Sequence, residues 1–182
     1  NHAGFEHLNP ADAWQLKRGG RYYITANGSA LMAFVVGEGD AHEGFRIISA
    51  HSDSPGFRIK PHAAMRGEGG ITRLNTEVYG GPILYTWFDR PLSVAGRVIL
   101  RSDDPLHPHH ATIRVDRPLL TIPHLAIHFN RNVNDGNKLS KQRDMLPIIG
   151  HVNSQAEAEG LLPSLIASTL DVDPKEILDF DL

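Results

Sequence analysis

From residue 71 onward the chain is cut into short apolar runs separated by turn chemistry, and that rhythm limits the folds open to it. Ile71–Tyr79, Leu92–Arg101, Ala111–Val115 and Leu119–Ile122 each have the length and side-chain content of a strand. Short strands at this spacing predict a β-rich module. Helical spacing appears only late, where Leu161, Leu162, Leu165, Ile166 and Leu170 recur on one face. Asp171-Val172-Asp173-Pro174 ends that helix, and Ile177–Leu182 reads as a last strand. Residues 66–70, Arg-Gly-Glu-Gly-Gly, read as a flexible connection.

The earlier part reads differently. Asn9-Pro10 has the form of an N-cap followed by Pro at the first helical position. It predicts a short helix through Asp12, Ala13, Trp14 and Leu16, stopped by Gly19-Gly20. Arg21–Thr25 and Leu31–Val36 read as strands joined through Asn27-Gly28, a hairpin signal. Phe45–Ala50 reads as a third strand, and the texture changes after Lys60-Pro61. The expected organisation is therefore residues 1–58 as the start of an α/β domain and residues 59–182 as a β-rich insertion with a helix. The first part is too short to bury a core alone, so a continuation is expected. The chain opens on Asn1 rather than Met, and the expectation is that it begins inside a longer polypeptide. It contains no internal repeat and no low-complexity tract.

Composition narrows the function classes. Net charge is −3 and the isoelectric point is near 6.4, which gives no reason to expect nucleic acid or an anionic membrane as partner. There is no cysteine, so disulfide scaffolds and thiolate sites are excluded and a reducing cytoplasm is the expected location. No apolar run approaches the roughly 18 residues of a membrane span. Eleven histidines are many for this length. His107, His109 and His110, after Asp103-Asp104-Pro105, read as a solvated hairpin loop, although such a tract could also bind a transition metal adventitiously.

Chemistry concentrates at Ser49-Ala50-His51-Ser52-Asp53-Ser54-Pro55. In a strand, residues i and i+2 share a face, so Asp53 could hold the imidazole of His51. A metal-ligating His usually has such a partner, which fixes its tautomer and ring angle. Pro55 has no N–H to donate and ends regular pairing. The motif would then lie at the carboxyl end of a strand, where open α/β sheets keep their sites. The same residues also describe a surface histidine beside an Asp-Ser-Pro turn.

Several further stretches occur in order with that motif. They are Asp12-Ala13-Trp14, Gly19-Gly20-Arg21-Tyr22-Tyr23, Glu77-Val78-Tyr79-Gly80-Gly81, Thr86-Trp87-Phe88-Asp89-Arg90 and Leu92-Ser93-Val94-Ala95-Gly96-Arg97-Val98. Ile122-Pro123-His124-Leu125-Ala126-Ile127-His128 and Asn130-Arg131-Asn132-Val133-Asn134 complete the series. Together they resemble the aspartyl aminopeptidase family of zinc metallopeptidases, whose members are longer than this chain. The resemblance implies a hydrolase that removes an N-terminal residue from peptide substrates, with acidic residues preferred in many members. It implies two zinc ions per complete active site, a water activated by them, and a Glu as general base. It also implies a catalytic α/β domain interrupted by a dimerisation domain, and homo-oligomers assembled through residues 59–182.

Residue by residue, the resemblance makes His51 a metal ligand and Asp53 the aspartate that orients it. His128 matches a histidine that reaches the neighbouring subunit's active site, to bind substrate or stabilise the developing oxyanion. His128 also reads as a core or interface histidine among Leu125, Ala126 and Ile127, and His124 is the less favoured candidate. Asp89-Arg90 reads as a structural ion pair or interface contact. Tyr79, Trp87 and Phe88 read as core or interface aromatics. Gly80, Gly81 and Gly96 read as positions of tight turns or close backbone approach. Pro91 departs from the family, which commonly has an acidic residue there. The remaining ligands and the general base have no counterpart in these 182 residues, so the chain by itself is expected to be inactive. The competing expectation is a non-catalytic oligomerisation module, in which His51 is a relic. No Gly-x-Ser-x-Gly elbow appears, which disfavours a serine hydrolase.

Overall fold

The computed structural model describes residues 3–39 and 44–182. They fall into two compact units, residues 1–54 and 55–182. The second unit's first strand begins at Gly56, so residues 56–58, expected in the first part, lie in the second.

The first unit is a three-stranded sheet. Strand β1 (Glu6–His7) runs parallel to β2 (Arg21–Ala26), which forms an antiparallel hairpin with β3 (Ala30–Val35). The hairpin closes through Asn27 and Gly28 at φ 53° and 70°, positive values that these two residue types tolerate best. Tyr22 is buried and packs against Phe34, with ring centroids 5.6 Å apart.

The expected helix after Asn9-Pro10 does not form. Asn9 instead organises a turn: its Oδ1 accepts the Ala11 N–H at 3.2 Å, and its carbonyl accepts the Asp12 N–H at 3.1 Å and the Trp14 indole N–H at 2.8 Å. An Asn side chain that satisfies nearby backbone competes with helix, and a span this short cannot recover the nucleation cost. Residues 3–39 and 44–54 carry strands and turns, with no helix among these described residues. The expected strand Phe45–Ala50 also pairs with nothing among the described residues, and Phe45, Ile47 and Ile48 are 88%, 84% and 98% exposed. Apolar content alone does not make a strand; a ladder partner must be present.

The second unit is β-rich with one α-helix among the described residues. One sheet has the order β4-β5-β8, from β4 (Gly56–Arg66), β5 (Ile71–Tyr79) and β8 (Ile148–His151). The other has the order β7-β6-β9, from β6 (Ala95–Leu100), β7 (His109–Arg114) and β9 (Ile177–Asp181). All pairings in both are antiparallel. Strand β5 alternates as the sequence requires, with Thr72, Leu74 and Thr76 buried on one face. Strand β4, not anticipated from the sequence, runs through Pro61. The ladder slips between Ile59 and Ala64, and the Asn75 side chain fills the gap by donating to the His62 carbonyl at 3.3 Å. A bulge is where a strand accommodates a proline without losing a ladder bond. Residues 66–70 are not a loose connection either. Arg66 ends β4, Glu68–Gly70 form a 3-10 turn, and Gly67 N–H closes on the Ile71 carbonyl at 2.8 Å. Leu119–Ile122 forms isolated bridges, Leu92 to Leu120 and Thr121 to Ile148, rather than a strand.

Helix α1 (Gln155–Leu170) lays Ala158, Leu162, Ile166 and Ala167 into the core. Ser154 caps it by accepting the Glu157 N–H at 3.2 Å, and Asp171 ends it in the left-handed region at φ 57°. Its buried face meets Ile59 and Leu74 of one sheet and Val98 and Ile113 of the other in one cluster. A second cluster joins Phe88, Ile122 and Met145.

Candidate active-site residues

The bend at residues 51–54 brings His51 and Asp53 together without the help of a strand. His51 Nδ1 lies 2.7 Å from the backbone carbonyl oxygen of Asp53 and 3.4 Å from its carboxylate Oδ1. The expected carboxylate is thus close, but the shorter contact is to the main chain. A carbonyl oxygen only accepts, so the neutral imidazole carries its proton on Nδ1. Nε2 then holds the lone pair, the arrangement a metal ligand needs. Both side chains are open to solvent, at 78% and 54% exposure.

One imidazole does not make a metal site. Among the described residues no group of three or more His, Asp or Glu side chains could hold an ion. Catalytic zinc sites draw three protein ligands. The described residues do not bring such a set of ligands together.

His128 lies in the second unit, on an exposed loop that follows the Thr121–Ile148 bridge. Residues 127–129 form a turn, with Phe129 N–H on the Ala126 carbonyl at 2.8 Å. The alternative of a core histidine fails, because the apolar neighbours are themselves outside: Leu125 is 65% and Phe129 81% exposed.

The root of that loop holds an arrangement that the sequence did not signal. Asp89, at φ 55°, accepts the His124 backbone N–H on Oδ1 at 2.9 Å, and its Oδ2 is 3.6 Å from His124 Nδ1. The His124 ring stacks on Phe88 with centroids 4.2 Å apart and planes 2° from parallel. Asp89 thus pairs with His124, where an ion pair with Arg90 or an interface contact was expected. Phe88 and Trp87 are core-facing aromatics; Trp87 meets Phe57 edge-on at 4.8 Å. His109 and His110, expected in one solvated loop with His107, open strand β7 and pair with Leu100 and Ile99. Of that tract only His107 lies in a solvated loop, where Asp104 Oδ2 contacts its Nδ1 at 2.7 Å. That contact, then the Leu106 backbone N–H, holds the Asp104 carboxyl below its ordinary pKa.

Residues 1–182 match the family model for the aminopeptidase I zinc metalloprotease (M18) throughout. The chain belongs to that family. A probable M18 family aminopeptidase 2 of Clostridium novyi (strain NT) is 52% identical over 100% of this chain and 42% of its own length. The protein of the same description from Clostridium acetobutylicum is 52% identical over 98% of this chain and 42% of its own length. The solved structure of Chaetomium thermophilum mApe1 superposes with a TM-score of 0.81 at 32% identity, covering 99% of this chain and 43% of that one. The M18 chain described here thus spans about 42% of the length of the curated relatives it matches.

Proposed function

We propose that this M18 chain is part of a zinc-dependent aminopeptidase that removes N-terminal residues, acidic ones preferred, from peptides. The observation that carries the reading is the His51–Asp53 contact. It presents Nε2 of an exposed imidazole as a free lone pair, in a chain matched end to end by a zinc peptidase family. In this reading His51 ligates one of two zinc ions. Asp53 orients it through the carbonyl, with the carboxylate close behind. Zinc, when bound, supplies Lewis-acid activation of water and of the scissile carbonyl. His128 acts in a neighbouring subunit, where its imidazole binds substrate or donates to the developing oxyanion. The first unit serves the catalytic domain, and the second unit, which adds residues 55–58 to the expected 59–182, serves the dimerisation domain. Homo-oligomers form through the latter, and the protein works in the cytoplasm.

Two features support the assembly. Leu125, Ile127 and Phe129 expose apolar surface around His128, as an interface requires. Phe45, Ile47 and Ile48 expose more beside His51, in keeping with a catalytic domain larger than residues 1–58. The 182 residues alone are inactive in this reading, because one ligand does not hold zinc.

The test compares the complete natural polypeptide with its His51→Ala variant. Bound zinc and hydrolysis of an N-terminal aspartyl peptide are measured on both. The variant should lose at least tenfold in zinc affinity, as removal of a ligand exceeds the 10–100-fold range seen for its hydrogen-bonding partners. Full zinc and full activity in His51→Ala would remove His51 from the site, and an unaltered polypeptide without bound zinc or activity would favour the other reading, a non-catalytic oligomerisation module.

A further inference from the structure

The segment from Leu84 to Asp89 grips both ends of the exposed loop 123–137. At the first end Asp89 donates its N–H to the Ile122 carbonyl at 2.9 Å and accepts the His124 N–H at 2.9 Å. Phe88 adds a parallel bridge to Ile122 and the stacked His124 ring. At the second end the Tyr85 hydroxyl donates to the Asn137 carbonyl and accepts the Asn137 N–H at 3.2 Å. Between those ends the backbone hydrogen bonds among the described residues are short-range turns, such as Val133 N–H on the Asn130 carbonyl at 3.2 Å and Asp135 N–H on the Asn132 carbonyl at 3.0 Å. Its apolar side chains Leu125, Ile127 and Phe129 are exposed, so burial does not hold its tip. The two feet are what fix its course.

We propose that Tyr85 and Asp89 are positioning residues, a two-point clamp that fixes the loop presenting His128. The clamp rests on geometry alone; its service to His128 rests on the reading of His128 given above. Asp89 suits the task because Asp tolerates its φ of 55° better than most residues and brings an ionised acceptor to His124.

The experiment uses the complete natural polypeptide and three variants. Tyr85→Phe removes the hydroxyl and keeps the ring. Asp89→Gly keeps the backbone free to hold its φ and removes the acceptor. Asp89→Asn keeps an acceptor oxygen and tolerates the same φ. Amide hydrogen exchange is followed at His124 and Asn137. Loss of one hydrogen bond predicts exchange about fivefold faster at Asn137 in Tyr85→Phe and at His124 in Asp89→Gly. Asp89→Asn should restore slow exchange relative to Asp89→Gly. Unchanged exchange in both Tyr85→Phe and Asp89→Gly overturns the clamp. Peptidase kcat/KM is then measured for each variant alone and combined with His128→Ala. Each should fall several-fold alone and add nothing to His128→Ala, since groups acting through one residue are not additive. Additive losses overturn the link to His128. An unaltered rate in His128→Ala itself overturns the reading of His128, and exchange alone then decides the clamp.

Discussion

Replacing Gly96 by Ala should loosen strand β9 and strip the second unit of one wall. A Cβ at residue 96 would stand 2.1 Å from the Asp181 carbonyl oxygen, 3.0 Å from its carbon and 3.1 Å from Leu182 Cα. All three are backbone atoms, so no side-chain rotation relieves the clash, and β6 and β9 must separate. Their pairing runs from Arg97 opposite Asp181 to Leu100 opposite Ile177. Beyond it, Leu182 is buried at 8% exposure, its carbonyl accepts the Ile59 N–H at 2.8 Å, and Arg58 pairs with Asp181 at 2.9 Å. Uncovering a leucine costs about 1.5–3 kcal/mol. One backbone hydrogen bond adds about 1 kcal/mol. The exposed ion pair adds little. The expected loss is therefore about 2.5–4 kcal/mol. Gly150→Ala is the control, because the Cβ there meets only Leu161 Cδ1 at an ordinary 3.8 Å. Urea unfolding of both variants should show a lowered midpoint for Gly96→Ala with an unchanged slope, and almost no shift for Gly150→Ala. If Gly96→Ala unfolds within about 1 kcal/mol of Gly150→Ala, the close approach is not rigid and the reasoning fails.

Three other outcomes are expected. Nitrogen-15 NMR of the 182-residue chain should find the neutral form of the His51 imidazole with its proton on Nδ1, and a dominant Nε2–H tautomer would contradict the Asp53 carbonyl contact. Replacing His107 by Ala should raise the Asp104 pKa towards its ordinary value in an NMR titration. Because the folded-state pKa is lowered, the contact stabilises above the unfolded-state pKa and is lost as pH falls through the folded one. Ser154→Ala should destabilise the second unit by about 1 kcal/mol in thermal unfolding, the usual worth of an N-cap, and no change would mean that Glu157 finds another acceptor.

What the sequence disclosed depended on how local its cause was. Asn27-Gly28 announced a hairpin because positive φ is a property of single residues. Strand β5 was legible end to end because Thr72, Leu74 and Thr76 alternate against a core on one side. Strand β4 was hidden by Pro61, which reads as a stop until the bulge that absorbs it is seen. Helix α1 was recognised from Leu161 onward, while its first turn, Gln155-Ala156-Glu157-Ala158, buries one small residue and carries no apolar period. Its start was encoded in the Ser154 cap instead.

The site divides along the same line. His51 and Asp53 are two residues apart, so their proximity was readable, but the shorter contact runs through a main-chain oxygen that every residue type possesses. No side-chain pattern encodes that. The Asp89–His124 pair lies further out of reach, since 35 residues separate its members and tertiary contacts, the Phe88–Ile122 bridge and the Asp89 N–H on the Ile122 carbonyl, bring them together. Phe45, Ile47 and Ile48 show the other limit. Their apolar character states a demand for burial, and the expected strand was an answer to that demand. The demand is real, but which surface meets it is not written in the run itself. The same holds for Leu125, Ile127 and Phe129 around His128. An apolar tip held only at its feet, next to an imidazole, has a defined position before any partner arrives. A partner that docked there would not have to order the loop, which is how preorganisation strengthens an interface.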